Sequence, residues 1–384
     1  MRLLRHVFTA VALLGLMESV QASSAGFEIT DGDGFVQVDG KAFGAPFRLV
    51  RPDDWNGDLV LLLHGYVFPG APITLPPVGH EFIFDQLTTG LVARGFGVAF
   101  SSYRVNGYAV REGIADTRIA QLIFSLLFGR PTDVYLTSFS MGTHIGQRLV
   151  EAFPGKYDGY LAVCAAVGGA TLQNEYFSDA RVLFDYFYPG ALPGDLLTAD
   201  LDFFTEVVPL AIGALSANPA PAFELATVLD LRWESPEELF EGVVSSLIVA
   251  GGGTLDMQEK ARGNPYDNSA TVYSGALNDA ALNGGVMRFV ADRRAAQFLD
   301  RFYDPSGRLR RTEVLHLHTT RDPIVQLQRH QSVFEQLLLE KGYSDQYVVR
   351  AVDRFGHCTF SPDEILAGFD DLVRWSHTRV PPIP

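Results

Sequence analysis

Strand-like and helix-like segments alternate along the first part of this chain, and that alternation restricts the folds open to it. Leu59–Leu63 is apolar at every position, which is typical of a central strand buried on both faces. After it the sequence predicts a helix over 82–94, a strand over 97–101, a helix over 110–128, a strand over 134–137, a helix over 142–153 and a strand over 160–164. This order predicts a mostly parallel sheet with helices on both faces.

The alternation stops near residue 167 and returns near residue 286. The residues between contain aromatic, helix-like segments that prolines separate. Beyond them the pattern predicts a helix over 286–302, a strand over 314–318, a helix over 325–341, a strand over 347–352 and a helix over 362–377. We therefore predict one α/β domain built from residues 23–166 and 286–384, with a large helical cap inserted at 167–285.

The first 22 residues have the pattern of a signal peptide. Arg2 and Arg5 precede an apolar stretch over 7–17, and residues 20–22 form a small-x-small cleavage site. The apolar stretch is too short to span a bilayer, and no other stretch of the sequence is long and apolar enough to do so. We expect a secreted or periplasmic protein whose mature chain begins near Ser23.

The chain has two cysteines, Cys164 and Cys358. Cys164 ends the predicted strand 160–164 and Cys358 lies in the loop after the strand 347–352, both at the same edge of the sheet, so their Cα atoms are expected within the range that a disulfide permits. An exported protein meets oxidising conditions, which favours a bridge between them. The alternative is a pair of buried free thiols.

The charge balance argues against nucleic acids as partners. The chain carries 30 Lys and Arg against 45 Asp and Glu, a formal net charge of −15, and it has no cluster of basic residues. Two cysteines are too few for a thiolate-rich zinc site. We see no nucleotide-binding loop, haem motif or metal cluster, and we expect neither a cofactor nor a metal.

The strongest local motif is Ser138-Phe139-Ser140-Met141-Gly142, which lies between a predicted strand and a predicted helix. A sharp strand-to-helix turn exposes the hydroxyl of its central serine, and the residues two before and two after must be small. Ser138 and Gly142 meet that requirement, although glycine is usual at the first position. The context predicts Ser140 as a nucleophile.

An activated serine needs a base, and the base needs an acid that orients it. His357 follows the predicted strand 347–352 in a loop beside a glycine, where its imidazole is free to reach the serine. Asp322 follows the predicted strand 314–318, and the proline after it favours an extended loop. We predict Asp322 as the acid; Asp353 and Asp304 are the competing candidates.

Three further histidines are assigned structural roles. His144 lies one helical turn after Ser140, which is typical of a core or interface residue. His316 and His318 alternate with leucines in a predicted strand, and we interpret them as sheet residues that form hydrogen bonds. They lack an acidic or cysteine partner at ligand spacing, so a metal role is disfavoured.

The negative oxygen that forms during attack on a carbonyl needs two backbone N–H donors. One is expected to be the amide of Met141, directly after the nucleophile. The second is expected to be the amide of Tyr66, in the loop that begins at His64 and Gly65.

These features together resemble the α/β-hydrolase superfamily. Leu62-Leu63-His64-Gly65, the Ser140 turn, Asp322 and His357 follow each other in the order that is typical of that superfamily. The resemblance spans about residues 47–375 except the insertion, and the His-Gly-Tyr form is similar to secreted esterases, lipases and prolyl-oligopeptidase-like enzymes. It implies a Ser-His-Asp triad, and a cap where this superfamily often has a lid. Ser138 in place of glycine and the length of the cap depart from the usual pattern.

The resemblance implies hydrolysis of a small-molecule ester or a short peptide. The aromatic cap favours an apolar substrate, and we can identify no charged anchor for a peptide terminus. We therefore expect a carboxylic-ester hydrolase that works through an acyl-enzyme intermediate. A prolyl-oligopeptidase-type peptidase and a catalytically inactive binding protein remain as alternatives. The turn-rich segment 263–268 is expected to pack the cap on the core, or else to line the pocket.

Overall fold

The computed structural model describes residues 26–383, so the predicted signal peptide lies outside the described residues. Within them, nine strands form a single sheet. The strands are β1 (Glu28–Gly32), β2 (Phe35–Ala42), β3 (Ala45–Pro52), β4 (Leu59–Leu63), β5 (Gly97–Ser101), β6 (Val134–Phe139), β7 (Gly159–Val163), β8 (Glu313–Arg321) and β9 (Tyr347–Phe355).

The sheet is mostly parallel, as the alternation predicted. Its strand order is β1-β2-β3-β5-β4-β6-β7-β8-β9. The first three strands form an antiparallel meander, β3 pairs antiparallel with β5, and all strands from β5 to β9 in that order are parallel. Parallel strands end at one edge of the sheet, so the segments after β4, β6, β8 and β9 are brought together there.

Helices cover both faces of the sheet. They are α1 (Glu81–Val92), α2 (Val110–Phe128), α3 (Gly142–Ala152), α4 (Ala170–Phe187), α5 (Val208–Ala217), α6 (Ala220–Val228), α7 (Pro236–Ser246), α8 (Gly252–Ala261), α9 (Asp279–Gly285), α10 (Arg293–Phe302), α11 (Leu327–Lys341) and α12 (Pro362–Thr378). One core joins the sheet to α2, α3 and α11, and a second core joins its other face to α1 and α12. None of the helices in residues 26–383 combines the length and the apolar content needed to cross a membrane.

The insertion between β7 and β8 forms a helical layer with a core of its own. Helices α4, α5, α6, α7 and α9 and the loops between them bury aromatic and aliphatic side chains against each other, among them Phe184, Leu225, Val243 and Tyr266. A π-helical turn at Phe203–Val207 precedes α5. In the sequence this layer follows β7 and precedes β8, so both of its ends are anchored at the sheet.

The helix predicted over 286–302 was wrong in its first half, because α10 begins only at Arg293. The residues before it pair with the turn-rich segment 263–268. The amide of Asn268 donates to the carbonyl of Phe289, and the amide of Asp292 donates to the carbonyl of Asn264. These backbone hydrogen bonds replace the ones that a helix would form.

The predicted disulfide between Cys164 and Cys358 is confirmed, with a Cα–Cα distance of 5.1 Å. Cys164 directly follows β7, and Cys358 lies three residues after the end of β9. The bridge therefore joins the start of the cap insertion to the loop after the last strand.

Candidate active site

Ser140 lies at a sharp turn between β6 and α3. Its φ of 51° is in the left-handed region that non-glycine residues rarely adopt, and its amide donates to the carbonyl of Val163. Gly142 closes the turn against the end of β4: a Cβ atom there would lie 2.5 Å from the carbonyl oxygen of Leu63. The turn thus requires glycine at this position and presents the Ser140 side chain at the carboxyl edge of the sheet.

Ser138, which stands where this motif usually has glycine, is accommodated by a neighbour. Its side chain is completely buried, and its hydroxyl lies 2.7 Å from the hydroxyl of Tyr160 on the adjacent strand β7. The polar group that replaces glycine is therefore hydrogen-bonded, which avoids the cost of burying it unpaired.

The predicted base lies in contact with Ser140 on one side and with the predicted acid on the other. His357 Nε2 lies 2.8 Å from Ser140 Oγ, and His357 Nδ1 lies 2.7 Å from Asp322 Oδ2. A carboxylate only accepts, so Nδ1 carries the proton and Nε2 is free to accept from the serine hydroxyl. The competing acids lie elsewhere: Asp353 contacts Thr320 and Arg321, and Asp304 contacts Thr171.

Asp322 is a buried carboxylate with donors on both oxygens. The amides of Ile324 and Val325 donate to Oδ1 at 2.9 Å each, while His357 and His318 approach Oδ2. Burial alone raises the pKa of a carboxyl group, but the attraction of His357 and the hydrogen bonds from His318 and His357 outweigh it and lower the pKa of Asp322 well below its usual value. Asp322 is therefore ionised at neutral pH.

The two residues that were predicted to supply the oxyanion-binding amides line the same cavity. Both Tyr66 and Met141 line the cavity that contains Ser140, and among residues 26–383 neither amide donates a hydrogen bond. The amide of Gly65 is occupied, because it donates to His80 Nε2 at 3.1 Å. His80 holds the loop that contains Tyr66, a role that the sequence analysis did not identify, since nothing near residue 80 marks it.

The cavity in front of Ser140 has a volume of about 410 Å³. Core residues form one side of it, including Phe139 and Phe360. The cap supplies Phe177, Ile248 and Val249. None of the described residues that line it is Asp, Glu, Lys or Arg. The turn-rich segment 263–268 is not among the lining residues, because its Asn264, Tyr266 and Asn268 side chains pack within the cap.

The cap also fixes the loop that contains Asp322. From α4, Tyr176 donates to the carbonyl of Pro323 at 2.5 Å, and Gln173 donates to the carbonyl of Ile324 at 2.8 Å. The other end of the Gln173 amide lies 2.7 Å from His330 Nε2 on α11. The first cap helix is thus attached by side-chain hydrogen bonds to the two residues after Asp322.

His144 is buried in the cavity wall, in agreement with its interpretation as a core residue. Burial lowers the pKa of His144 to about 4, so the imidazole is neutral, and within the described part of the chain its Nδ1 has no hydrogen-bond partner. His316 and His318 form the hydrogen bonds that their strand position predicted. The sequence analysis did not anticipate that His318 reaches Asp322, at 3.2 Å.

In the described part of the chain, Cys164, His357 and Cys358 are close enough together to suggest a metal site. The two sulfurs are joined to each other in the disulfide, so neither can act as a thiolate ligand. The donor set therefore does not fit a metal ion.

No protein-family model and no curated protein matches the sequence. Solved structures do match. Feruloyl esterase B from Aspergillus oryzae has 14% identity over 94% of this chain and 82% of that chain, with a TM-score of 0.50. An esterase from Aspergillus oryzae has 11% identity over 91% and 80%, with a TM-score of 0.48. An esterase of Pyrococcus furiosus has 12% identity over 93% and 96%, with a TM-score of 0.43.

At such low identity a structural likeness is informative about the fold alone. The likeness to the first of these structures extends over most of both chains. It agrees with the strand order and with the turn at Ser140. The chain therefore has the α/β-hydrolase fold.

Proposed function

We propose that the protein is a serine hydrolase that cleaves carboxylic esters, with Ser140 as nucleophile, His357 as general base and Asp322 as the orienting acid. The observation that supports this proposal is the continuous pair of hydrogen bonds from Ser140 Oγ to His357 Nε2 at 2.8 Å and from His357 Nδ1 to Asp322 at 2.7 Å. Ser140 and His357 line a cavity that can hold a small ester, and Asp322 lies buried behind His357.

Each step of ester hydrolysis has a group to perform it. Ser140 Oγ attacks the ester carbonyl while His357 Nε2 takes its proton, and the amides of Tyr66 and Met141 donate to the negative oxygen that forms. His357 then gives the proton to the departing alcohol, which leaves an acyl group on Ser140. Water, activated by His357, attacks the acyl group and releases the acid. Asp322 stays ionised throughout and stabilises the imidazolium.

The character of the cavity favours an ester over a peptide. A peptidase that acts on short peptides normally holds a charged terminus, and no described residue of the cavity wall carries a full side-chain charge. The wall consists mainly of aromatic and aliphatic side chains, which suit an apolar acyl or alcohol group. A purely binding protein would not need a serine, histidine and carboxylate in hydrogen-bonded sequence.

The test is a panel of p-nitrophenyl esters of increasing chain length, run beside dipeptide and prolyl p-nitroanilides. Methyl hydroxycinnamates join the panel because a solved structure of similar fold is a feruloyl esterase. We expect ester turnover, and labelling by a fluorophosphonate probe that Ser140→Ala abolishes. Ser332→Ala, an exposed serine on α11, is the matched control. Turnover of the anilides without the esters would favour the peptidase, and an unlabelled wild-type protein would favour the binding protein.

We also propose that the protein is exported, to the periplasm or outside the cell. The signal-peptide pattern over residues 1–22 motivates this proposal, and the disulfide agrees with an oxidising compartment. The test is to express the whole chain in a Gram-negative host and to determine the N-terminus of the periplasmic and secreted protein by mass spectrometry. We expect a start at Ser23; an uncleaved chain confined to the cytoplasm would contradict export.

A further inference from the structure

Two buried histidines extend the hydrogen-bond network on the far side of Asp322 from His357. His316 and His318 both lie on β8 and are completely buried. His316 Nδ1 lies 2.7 Å from the hydroxyl of Tyr347, and His316 Nε2 lies 2.8 Å from His318 Nδ1. His318 Nε2 lies 2.8 Å from the carbonyl oxygen of Val325 and 3.2 Å from Asp322 Oδ2. The network therefore reaches from Tyr347 to the proposed acid.

The surroundings determine which nitrogens carry protons. The amide of Ala165 donates to His318 Nδ1 at 3.1 Å, so this nitrogen must be an acceptor. His318 then has its proton on Nε2, where it faces two oxygens, those of Val325 and Asp322.

The same reasoning extends to His316. His316 must donate from Nε2 to His318, because His318 Nδ1 has no proton to give. Its Nδ1 then accepts from the hydroxyl of Tyr347. Burial lowers the pKa of His316 well below its usual value, which agrees with a neutral imidazole.

Every donor in this network consequently points towards Asp322. Tyr347 donates to His316, His316 donates to His318, and the Nε2–H of His318 donates to the carbonyl of Val325, with Asp322 Oδ2 at 3.2 Å. Asp322 Oδ2 thus faces two imidazole N–H groups, that of His357 at 2.7 Å and that of His318 at 3.2 Å, while Oδ1 is held by two amides. Four donors leave this buried carboxylate a single orientation.

We propose that His318 is a positioning residue that holds Asp322 Oδ2 in line with His357, and that the Ala165 amide, His316 and Tyr347 together fix the tautomer in which it does so. The inference rests on the proposed function, because it assigns His318 a part in the same triad. His318 does not line the cavity, so it acts through Asp322 and not on the substrate. Without His318, Oδ2 keeps His357 as its one donor. The carboxylate group can then rotate while Oδ1 stays hydrogen-bonded to its two amides.

The first test compares two substitutions of His318 in the full chain. Leucine removes the donor, whereas the amide of glutamine can reach roughly the position of Nε2. On the best p-nitrophenyl ester we expect His318→Leu to lower kcat by roughly 10–100-fold with KM within about two-fold, as for other residues that orient a catalytic group. We expect His318→Gln to recover much of that loss. Equal kcat values for wild type and His318→Leu would overturn the proposal, as would equal losses in the two variants.

The second test does not depend on turnover. In ¹⁵N-histidine NMR spectra, His316 and His318 should both be neutral with the proton on Nε2. The proton between His357 and Asp322 should give a strongly downfield signal that shifts or broadens in His318→Leu and returns in His318→Gln. A proton on His318 Nδ1, or a downfield signal that is the same in both variants, would overturn the proposal. If the wild type neither hydrolyses esters nor labels with fluorophosphonate, the proposed function fails while this measurement still decides the geometry.

A milder pair of variants covers the case in which His318→Leu does not fold. Tyr347→Phe removes only the first donor of the network, and Tyr135→Phe removes a buried hydroxyl that contacts Ser376 and His377 on α12. We expect a two- to five-fold lower kcat, at about the strength of one neutral hydrogen bond, for Tyr347→Phe alone. The same kcat in both variants would overturn the inferred role of Tyr347.

Discussion

The phenol of Tyr176, on the first helix of the cap, donates a hydrogen bond of 2.5 Å to the carbonyl of Pro323, which directly follows Asp322. Tyr176 and Pro323 are both buried residues. The cap insertion is therefore connected to the loop of the proposed acid as well as to the substrate cavity. A change at Tyr176, which does not line the cavity, is expected to affect catalysis without a contact to the substrate.

Tyr176→Phe should weaken both stability and turnover. It leaves the Pro323 carbonyl unpaired in the interior, which costs roughly 1–3 kcal/mol. We expect a lower urea midpoint and a lower kcat with little change in KM. Tyr188→Phe is the control, since that hydroxyl donates to Asn218 within the cap. If both variants lose kcat equally, the link between α4 and the acid loop has no special role.

Asp322→Asn should lower kcat by about four orders of magnitude, because an amide can donate to His357 Nδ1 and so favour the wrong imidazole tautomer. Asp353→Asn, which changes an exposed carboxylate that contacts Arg321, should leave kcat within about two-fold. Steady-state kinetics on a p-nitrophenyl ester compare the two. A large loss of kcat in Asp353→Asn and a small one in Asp322→Asn would mean that Asp353 is the acid.

The sequence could predict the parts of this site that local patterns encode. The apolar run Leu59–Leu63 indicates a buried strand, and the small residues around Ser140 indicate a sharp turn. The chain order of Ser140, Asp322 and His357 then indicates which side chains meet. Those three are in contact in the structure, and their roles remain predictions.

Other parts depend on contacts between distant segments and leave no local signal. His80 is hydrogen-bonded to Gly65, fifteen residues away, and nothing in its own segment distinguishes it from a surface histidine. The helix predicted from residue 286 begins at Arg293, because Asn268 and its neighbours pair with that stretch of backbone. In both cases a hydrogen bond to a distant segment determines the local structure, and the residue's own neighbours in the sequence do not.

Gly142→Ala should destabilise the fold strongly. The new methyl group would lie 2.5 Å from the Leu63 carbonyl and 2.6 Å from that of His64, and both are backbone atoms that cannot move aside independently. We expect a loss of at least about 2 kcal/mol in unfolding free energy. Gly213→Ala, in the middle of α5 with no atom within 4 Å of the added methyl, should stabilise by roughly 0.5–1 kcal/mol. Urea unfolding of both variants tests the contrast; a tolerated Gly142→Ala would contradict the close approach.

Removing the disulfide should affect stability and activity together. Cys164 and Cys358 close a loop of 194 residues, for which the chain-entropy model gives an upper estimate of roughly 5 kcal/mol. Because Cys358 adjoins His357, the double variant Cys164→Ala/Cys358→Ala should also lower kcat. Urea unfolding and ester kinetics, each with and without a reductant, provide the measurement. Reductant should change the wild type towards the double variant and leave that variant unaltered; an unaffected wild type would contradict the role assigned to the bridge.

His144 should make the folded state sensitive to mild acid. Burial lowers the pKa of this imidazole from 6.5 to about 4, so between these values the unfolded chain binds more protons than the folded one. The unfolding free energy therefore falls as the pH drops from about 6.5 to about 4, by roughly 3 kcal/mol from this residue. In His144→Gln the side chain does not titrate, so the stability of the variant relative to wild type should improve by roughly 2–3 kcal/mol between pH 7 and pH 4.5. His377→Gln, at an exposed histidine, is the control. Urea unfolding at both pH values provides the comparison, and a relative stability that is the same at both would mean that His144 is protonated within the fold.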